Sequence, residues 1–287
     1  DRLNTQPLIK LLKDYKPDIA VCTHFLPAEI ISWLKAKGKI NFPQAIAVTD
    51  FDVHALWLCH HYEQYFVAMT EARIHLEKLG IPPEKITVSG IPIDPVFAEV
   101  KDKFEMREKY GLEKDKLTIL VSAGGFGVGN IEHLLYALSD LKTPAQVLAI
   151  CGRNEELKAK IEKLSSEKLN NERVIFKLIG FTTAMDEYMS AADLIVGKPG
   201  GLTTSEALAK GLIFVVVNPI PGQEERNSDH LLEKGCAIRC NNLPTLAYKI
   251  DALVNDETRV KSMKQNVLRF ARPNASSEIT TKLEAIF

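Results

Sequence analysis

The chain has 287 residues, of which 46% are hydrophobic and 25% are charged, and its formal net charge at pH 7 is -1. A chain of this length can bury one large core or two ordinary ones, and its near-neutral charge gives no support for a nucleic-acid partner. The longest apolar run, Leu212–Val217, is much shorter than the ~20 residues that cross a bilayer, so we expect neither an integral membrane segment nor a signal peptide before the first strand.

Short apolar runs alternate with amphipathic segments as far as Gly90, which is the pattern of a doubly wound parallel α/β sheet. Only four strands are predicted before Gly90, so we expect residues 1–93 to form an incomplete domain. The predicted helices are Asp1–Lys16, Ala28–Lys37 and Glu71–Leu79, and the predicted strands are Asp18–Thr23, Gln44–Thr49, Tyr65–Met69 and Lys85–Ser89.

Two prolines stiffen the segment Gly90–Phe97, and the charged run Lys101–Lys109 follows it. We therefore predict a linker at residues 94–116, and a second, fuller α/β domain at residues 117–272. Its predicted strands are Leu117–Ala123, Gln146–Cys151, Val174–Ile179, Asp193–Val196, Ile213–Val217 and Ala237–Arg239, and its last helical pattern covers Glu257–Phe270 and, beyond a break at Pro273, Ser276–Ile286.

A βαβ unit with a glycine turn stands out within the second domain. The turn Gly197–Gly201 joins a strand to a helix predicted at Thr204–Lys210, and its free backbone N–H groups would suit a diphosphate. A different interpretation is that Thr203 and Glu206 form a capping box, in which Glu206 only accepts a hydrogen bond from the Thr203 N–H. A polar loop is predicted at Pro219–Asn227, beyond the next strand, where amide and acid groups suit sugar hydroxyls.

A second glycine loop follows the first strand of this domain. It contains Gly124, Gly125 and Gly127 and leads into a predicted helix, a context in which such a loop can hold a phosphate.

The strings PGGLTTSEALAKG, beginning at Pro199, and NPIPGQEERN, beginning at Asn218, resemble the monogalactosyldiacylglycerol synthase family. These are inverting glycosyltransferases of family 28, which also includes the bacterial processive diacylglycerol glucosyltransferases. The resemblance extends from about Leu8 to the end of the chain. It implies a GT-B fold, in which two Rossmann-like doubly wound domains face a cleft and the C-terminal helix, residues 273–287, crosses back to the first domain.

The same resemblance implies a function. We expect transfer of galactose or glucose from the UDP-sugar to the 3-hydroxyl of 1,2-diacylglycerol, with inversion to a β-linkage and with no cofactor besides the donor. The expected location is peripheral, on the cytoplasmic side of the bacterial plasma membrane. Anionic lipid would have to meet a local basic surface, and Lys35, Lys37 and Lys39 beside Trp33 are a candidate for it.

Donor residues carried over by the resemblance fall into four groups. Uracil would pack against Phe181, with the Thr182 backbone at its edge and Met185 nearby, although Phe181 could instead belong to the core. The diphosphate would lie against the turn that begins at Pro199, and the ribose hydroxyls would donate to Glu206. The phosphate-contacting residues implied are Gly200, Gly201 and Thr203, and the hexose-contacting residues implied are Gln223, Glu224 and Asn227.

The acceptor residues are expected to follow strands of the first domain. Asp50 or His54 would place or deprotonate the acceptor hydroxyl, His24 is either catalytic or structural, and Trp57 either meets the lipid or belongs to the core. Asp50 and Asp52 are similar to a metal-binding pair of the other glycosyltransferase fold, but we expect no metal. The family's most plausible base is a histidine in an upstream glycine-rich loop, and we expect this chain to lack that segment.

Other functions stay open from the sequence. One is transfer of N-acetylglucosamine from UDP to a polyprenyl-linked acceptor, a second is UDP-sugar binding without turnover by a catalytically incomplete fragment, and a third is epimerisation of a nucleotide sugar. The five cysteines are scattered and odd in number, so we expect reduced thiols in the core of a cytosolic protein. They are Cys22, Cys59, Cys151, Cys236 and Cys240.

Overall fold

Two parallel sheets, one in each of two units, organise the chain. The computed structural model describes residues 5–122, 131–153, 159, 162, 169 and 171–286. The first unit consists of Asp1–Ile93 together with Asn274–Phe287, and the second unit consists of Asp94–Pro273.

The first unit contains a four-stranded parallel sheet with the strand order β1-β2-β3-β4. Its two central strands are buried along their whole length, as the near-continuous apolar sequence of a parallel strand requires. Each of the four predicted strands is present, with ends that differ by up to two residues. The strands are β1 Ala20–Cys22, β2 Gln44–Ala47, β3 Gln64–Val67 and β4 Ile86–Val88, and the helices before Gly90 are α1 Gln6–Tyr15, α2 Phe25–Ala36 and α3 Thr70–Lys78.

The second unit contains a six-stranded parallel sheet with the order β10-β9-β8-β5-β6-β7. The chain moves outward from β5 to β7 and then returns to place β8 on the other side of β5. This reversal creates a topological switch point between β5 and β8, the position at which open α/β sheets bind ligands. The strands are β5 Leu117–Ser122, β6 Ala145–Ile150, β7 Val174–Ile179, β8 Leu194–Gly197, β9 Ile213–Val217 and β10 Ala237–Cys240.

Helices α4 to α10 of the second unit connect and flank these strands. They are α4 Lys103–Lys109, α5 Ile131–Ser139, α6 Met185–Ala191, α7 Gly201–Ala209, α8 Gln223–Glu233, α9 Leu246–Val254 and α10 Glu257–Phe270. In the part of the chain that is described, none of the helices combines the length and the apolar character needed to cross a membrane. All five cysteines are free and buried.

The segment predicted as a linker, residues 94–116, packs as part of the second unit. Arg107 on α4 is only 3% exposed, and its guanidinium donates to the Ala191 carbonyl at 3.0 Å and to the Asp193 carboxylate at 2.6 Å. Lys103 donates to the other oxygen of Asp193. A buried arginine bound in this way holds α4 against the sheet, so the connection between the units is shorter than the charged sequence indicated.

The last helix, α11 Ala275–Ile286, belongs to the first unit. Its Ile279 lies in a buried cluster with Ala45 and Phe66 of the sheet, and Leu283 packs against that cluster. The Ser276 hydroxyl also donates to the Ile93 carbonyl.

The polar loop predicted at Pro219–Asn227 is wrong in its second part, because α8 already begins at Gln223. Gly222 adopts a φ of 92°, a left-handed value that glycine tolerates, and turns the chain into the helix. Glu224 accepts from the Ile220 N–H at 2.7 Å and Glu225 accepts from the Gly222 N–H at 3.3 Å. Both carboxylates also lie at the positive end of the helix dipole, so this acidic sequence favours a helix start.

Candidate functional site

The glycine turn after β8 lies at the switch point of the second sheet. Gly200 is the N-cap residue of α7, which begins at Gly201. The first N–H groups of a helix have no partner within it and attract anions. Gly197 packs closely on β5, since a Cβ there would lie only 3.2 Å from the Ser122 carbonyl oxygen. The turn predicted to bind a diphosphate therefore has the geometry of an anion site.

Glu206 does not form the capping box that the sequence left open. Because α7 begins three residues earlier than predicted, Thr203 is the third residue of the helix and Glu206 is the sixth. Burial, and after it the charge of Asp94, raises the pKa of the half-buried Glu206 carboxyl to about 7. A carboxyl with a raised pKa gains most from donors such as the two hydroxyls of a ribose, which stabilise its ionised form.

Asn227 supports the glycine turn from α8. Its side chain is 1% exposed, and its amide donates to the Pro199 carbonyl at 3.1 Å. This contact gives the Asn227 amide a partner in the turn, and its predicted contact with the hexose stays a prediction. Gln223 and Glu224 lie in the first turn of α8, where Gln223 is exposed and Glu224 is half-buried, and one oxygen of Glu224 accepts from the Ile220 N–H.

The residues predicted to bind uracil follow β7. Phe181 is 56% exposed, so the alternative that it belongs to the core is wrong. The Thr182 hydroxyl accepts from the Ala184 N–H at 3.0 Å, and Met185 begins α6. Sequence reasoning missed Arg153, whose guanidinium lies 4.5 Å from the centre of the Phe181 ring.

The predicted phosphate loop at Gly124, Gly125 and Gly127 lies outside the described residues.

In the first unit the structure brings together three predicted catalytic residues beyond the carboxyl ends of β1 and β2. Asp50 is 1% exposed, and its Oδ2 accepts from the Trp57 indole N–H at 3.1 Å. His54 Nε2 lies 3.6 Å from the same oxygen, and 27% of the His54 side chain is exposed. The buried carboxylate is therefore close enough to orient the His54 ring.

His24 has a structural role at the start of α2. Its Nδ1 accepts from the Leu26 N–H at 3.2 Å and caps the helix, while its ring lies 4.2 Å from that of Phe25. Phe25 also makes edge contacts with His54 and Trp57, at centroid distances of 5.5 and 5.8 Å. Phe25 was not predicted, and it links the histidines through ring packing.

Trp57 is 1% exposed, which contradicts the expectation that it meets a lipid. Its indole fills the core and donates to Asp50. Two leucines next to this cluster are exposed instead, Leu26 by 54% and Leu56 by 61%. Among the described residues, no three His, Cys, Asp or Glu side chains are grouped so that they could hold a metal ion.

Comparisons with known proteins separate the chain at the same place as its fold. The family model described as monogalactosyldiacylglycerol (MGDG) synthase matches residues 2–93, and the model described as glycosyl transferases group 1 matches residues 102–269. Processive diacylglycerol beta-glucosyltransferase of Bacillus licheniformis is 32% identical over 283 residues, which are 98% of this chain and 72% of the relative. The chain belongs to the family of the processive diacylglycerol glucosyltransferases. This confirms the family indicated by its glycine-turn and α8 sequences, and the family consists of hexosyltransferases.

Further relatives agree. The enzyme of the same name from Staphylococcus epidermidis is 35% identical over 263 residues, which are 91% of this chain and 65% of the relative. The crystal structure of MurG from Acinetobacter baumannii matches 96% of this chain and 76% of that one, with a TM-score of 0.67 and 19% identity. Anabaena HepE in complex with UDP-glucose matches 96% and 81%, with a TM-score of 0.62 and 15% identity. Likeness at this level of identity shows the fold alone, and it confirms the predicted GT-B fold class.

Proposed function

We propose that this chain transfers galactose or glucose from a UDP-sugar to 1,2-diacylglycerol, with inversion, to form a β-glycosyl diacylglycerol. The observation that carries the proposal is the position of Glu206, which is half-buried in the helix that begins at the switch point of a sheet matched by a glycosyltransferase family model. The relatives' names supply the donor sugar and the acceptor class.

The donor would be held by the second unit. Glu206 accepts from the two ribose hydroxyls, and the N–H groups at the start of α7 offset the charge of the diphosphate. This charge grows as the bond between the anomeric carbon and UDP breaks, so donors fixed at that place lower the barrier. Asn227 contributes by holding the turn at Pro199 in place.

The acceptor would be activated by the first unit. His54 takes the proton of the acceptor hydroxyl, whose oxygen then attacks the anomeric carbon from the face opposite UDP, so one displacement inverts the configuration. Asp50 accepts from Trp57 and stabilises the imidazolium that forms on His54. The exposed side chains of Leu26 and Leu56 provide apolar surface beside this pair for the lipid.

The chain would act as a peripheral protein on the cytoplasmic side of the plasma membrane. Of the three lysines predicted to meet anionic lipid, Lys35 is paired with Glu63 at 2.7 Å, while Lys37 and Lys39 are exposed and Lys39 lies over the Trp33 ring. We therefore assign the anionic-lipid contact to Lys37 and Lys39. Such contacts contribute about 1 kcal/mol for each cation near an anionic surface.

The test is a transfer assay with radiolabelled UDP-glucose or UDP-galactose and phospholipid vesicles with or without diacylglycerol. We expect labelled glycolipid to form only when diacylglycerol is present, and we expect the product to carry a β-linkage. The proposal fails if UDP is released without glycolipid, or if product forms only from UDP-N-acetylglucosamine and a polyprenyl-linked acceptor. A Lys37→Gln/Lys39→Gln variant should lose activity on anionic vesicles and keep it on neutral ones.

A further inference from the structure

Arg153 and Phe181 leave the second sheet side by side. Their strands β6 and β7 are parallel neighbours that pair as far as Ile150 and Ile179, and the Cys151 N–H extends the pairing to the Ile179 carbonyl at 2.8 Å. Arg153 follows Cys151 by two residues, and Phe181 follows Ile179 by two residues. Both side chains therefore emerge at the carboxyl ends of the strands, where this class of sheet binds ligands.

The local backbone turns Arg153 towards the phenyl ring. Gly152 has a φ of 63°, in the left-handed region, and a residue with a side chain would be strained there. The Arg153 guanidinium lies 4.5 Å from the centroid of Phe181, within the distance at which a cation is attracted to the face of an aromatic ring. The contact fixes a side chain that would otherwise rotate freely at the surface.

Much of Phe181 stays accessible beside the guanidinium. The residue is 56% exposed, and the Arg153 guanidinium lies over its ring. A flat aromatic face of this kind suits a nucleobase, because stacking needs only another π-face and little reorganisation.

We propose that Arg153 is a positioning residue for the nucleotide base. It stacks on one face of Phe181 and holds the ring so that the pyrimidine of the donor stacks on the other face. The proposal rests on the proposed function, because it takes the ligand to be a uridine nucleotide. Arg153 acts on the ligand through the ring of Phe181 and does not itself bind the diphosphate.

Calorimetric titration of UDP and of uridine tests this assignment on the full chain and on four variants. The variants are Arg153→Gln, Arg153→Lys, Phe181→Leu and the double variant Arg153→Gln/Phe181→Leu. We expect Arg153→Gln to lower the affinity for both ligands by about 3- to 10-fold. Arg153→Lys should lower it less, because an ammonium keeps the charge but not the planar stack on the ring. Phe181→Leu should lower the affinity for both ligands by about 10-fold or more.

The double variant decides whether Arg153 acts through the ring. We expect it to match Phe181→Leu within twofold, since without the ring Arg153 has nothing to position. Arg173→Gln is the matched control, because this exposed arginine precedes the opposite end of β7 and its loss should leave both affinities unchanged.

Three results would overturn the assignment: unchanged affinity in Arg153→Gln, losses that multiply in the double variant, or weaker binding of UDP with uridine unaffected. The last result would place Arg153 on the diphosphate instead. Failure of the parent chain to bind UDP would remove the donor assignment itself, and with it this inference. If the variants show the coupled loss of affinity but the parent chain forms no glycolipid in the transfer assay, the base contact stands and the proposed function fails.

Discussion

The two units present their candidate site residues by different means. In the second unit the candidate anion site consists of backbone groups, since a glycine turn and the first N–H groups of α7 lie at the switch point of the sheet. In the first unit the candidate site consists of side chains, since the buried Asp50 lies 3.6 Å from His54 Nε2 and accepts a hydrogen bond from Trp57. A site made of backbone groups tolerates many substitutions nearby, whereas a site made of side chains depends on each of them.

This contrast predicts that single substitutions can separate the two halves of the reaction. A change at the His54–Asp50 pair of the first unit should slow transfer without weakening donor binding, and a change at Glu206 of the second unit should weaken donor binding. Changes away from both places should act on the fold alone.

The largest effect is expected from His54→Ala in the first unit. Loss of a general base lowers kcat by about 10²- to 10⁴-fold, whereas the affinity for UDP should not change. Steady-state kinetics and UDP calorimetry measure the two quantities separately. His60→Ala is the control, since this exposed histidine lies in the same loop. A kcat within threefold of the parent would show that another group accepts the proton.

Arg107→Met should have the next largest effect, and on the folding of the second unit only. The substitution leaves the carbonyls of Ala191 and Lys114 without the guanidinium that donates to them, and it removes one of the two cations paired with Asp193. We expect this to cost about 3–5 kcal/mol of unfolding free energy. Urea unfolding of the parent and the variant measures this difference in unfolding free energy. Lys109→Met is the control, because its ion pair with Glu187 is more exposed, and it should cost about 1 kcal/mol or less.

The pH dependence of this loss follows from Asp193. Burial would raise the pKa of the Asp193 carboxyl, but Lys103, the Thr118 N–H and Arg107 outweigh it and lower the pKa below its ordinary value. A lowered pKa stabilises the fold above the unfolded-state pKa of about 4, and that stability is lost as the pH falls below it. The difference between parent and Arg107→Met should therefore shrink in acid. A constant difference would contradict this electrostatic account.

Glu206→Gln should lower the affinity for the donor nucleotide and leave the fold intact. The amide keeps one acceptor oxygen and loses the charge, so the affinity for UDP should fall by about 1.5–3 kcal/mol, the contribution of a charged hydrogen bond. Glu233→Gln makes the same chemical change at the far end of α8, where it is exposed, and should bind UDP like the parent. Equal binding by Glu206→Gln and the parent would remove Glu206 from the ribose site.

The sequence predicted the sheets better than the sites, for a physical reason. Strands Val174–Ile179 and Ile213–Val217 have the bounds that their apolar runs indicated. Every residue of Ile213–Val217 is buried, as the continuous apolar sequence of a central parallel strand requires, whereas the edge strand Val174–Ile179 buries only Val174 and Phe176. The start of α8 was missed because it depends on carboxylates that turn back to bind the backbone at Ile220 and Gly222.

Contacts within the sites were harder still to predict. Arg153 meets Phe181 only because β6 and β7 are neighbours in the sheet, and the local sequence of either residue contains no sign of the other. The burial of Trp57 has a similar origin, since its indole hydrogen bond needs the chain to fold back on Asp50. Residue types and strand ends predicted which residues lie close together at the carboxyl ends of the strands. Which contact each of them makes could be seen only in the tertiary structure.

The smallest effect, and the most specific to the second unit, is a pH dependence of donor binding. The free Glu206 carboxyl has a pKa of about 7, and hydroxyl donors stabilise its ionised form, so UDP binding should lower that pKa and release a proton. Because binding favours the ionised carboxyl, the affinity for UDP should be about tenfold weaker at pH 6 than at pH 8. Calorimetry in buffers of different ionisation enthalpy measures both the affinity and the proton release. Glu206→Gln should lose the part of this pH dependence that comes from the carboxyl, because an amide does not titrate, and should keep only the part that comes from the terminal phosphate of UDP. An unchanged pH dependence in this variant would assign the titration to another group.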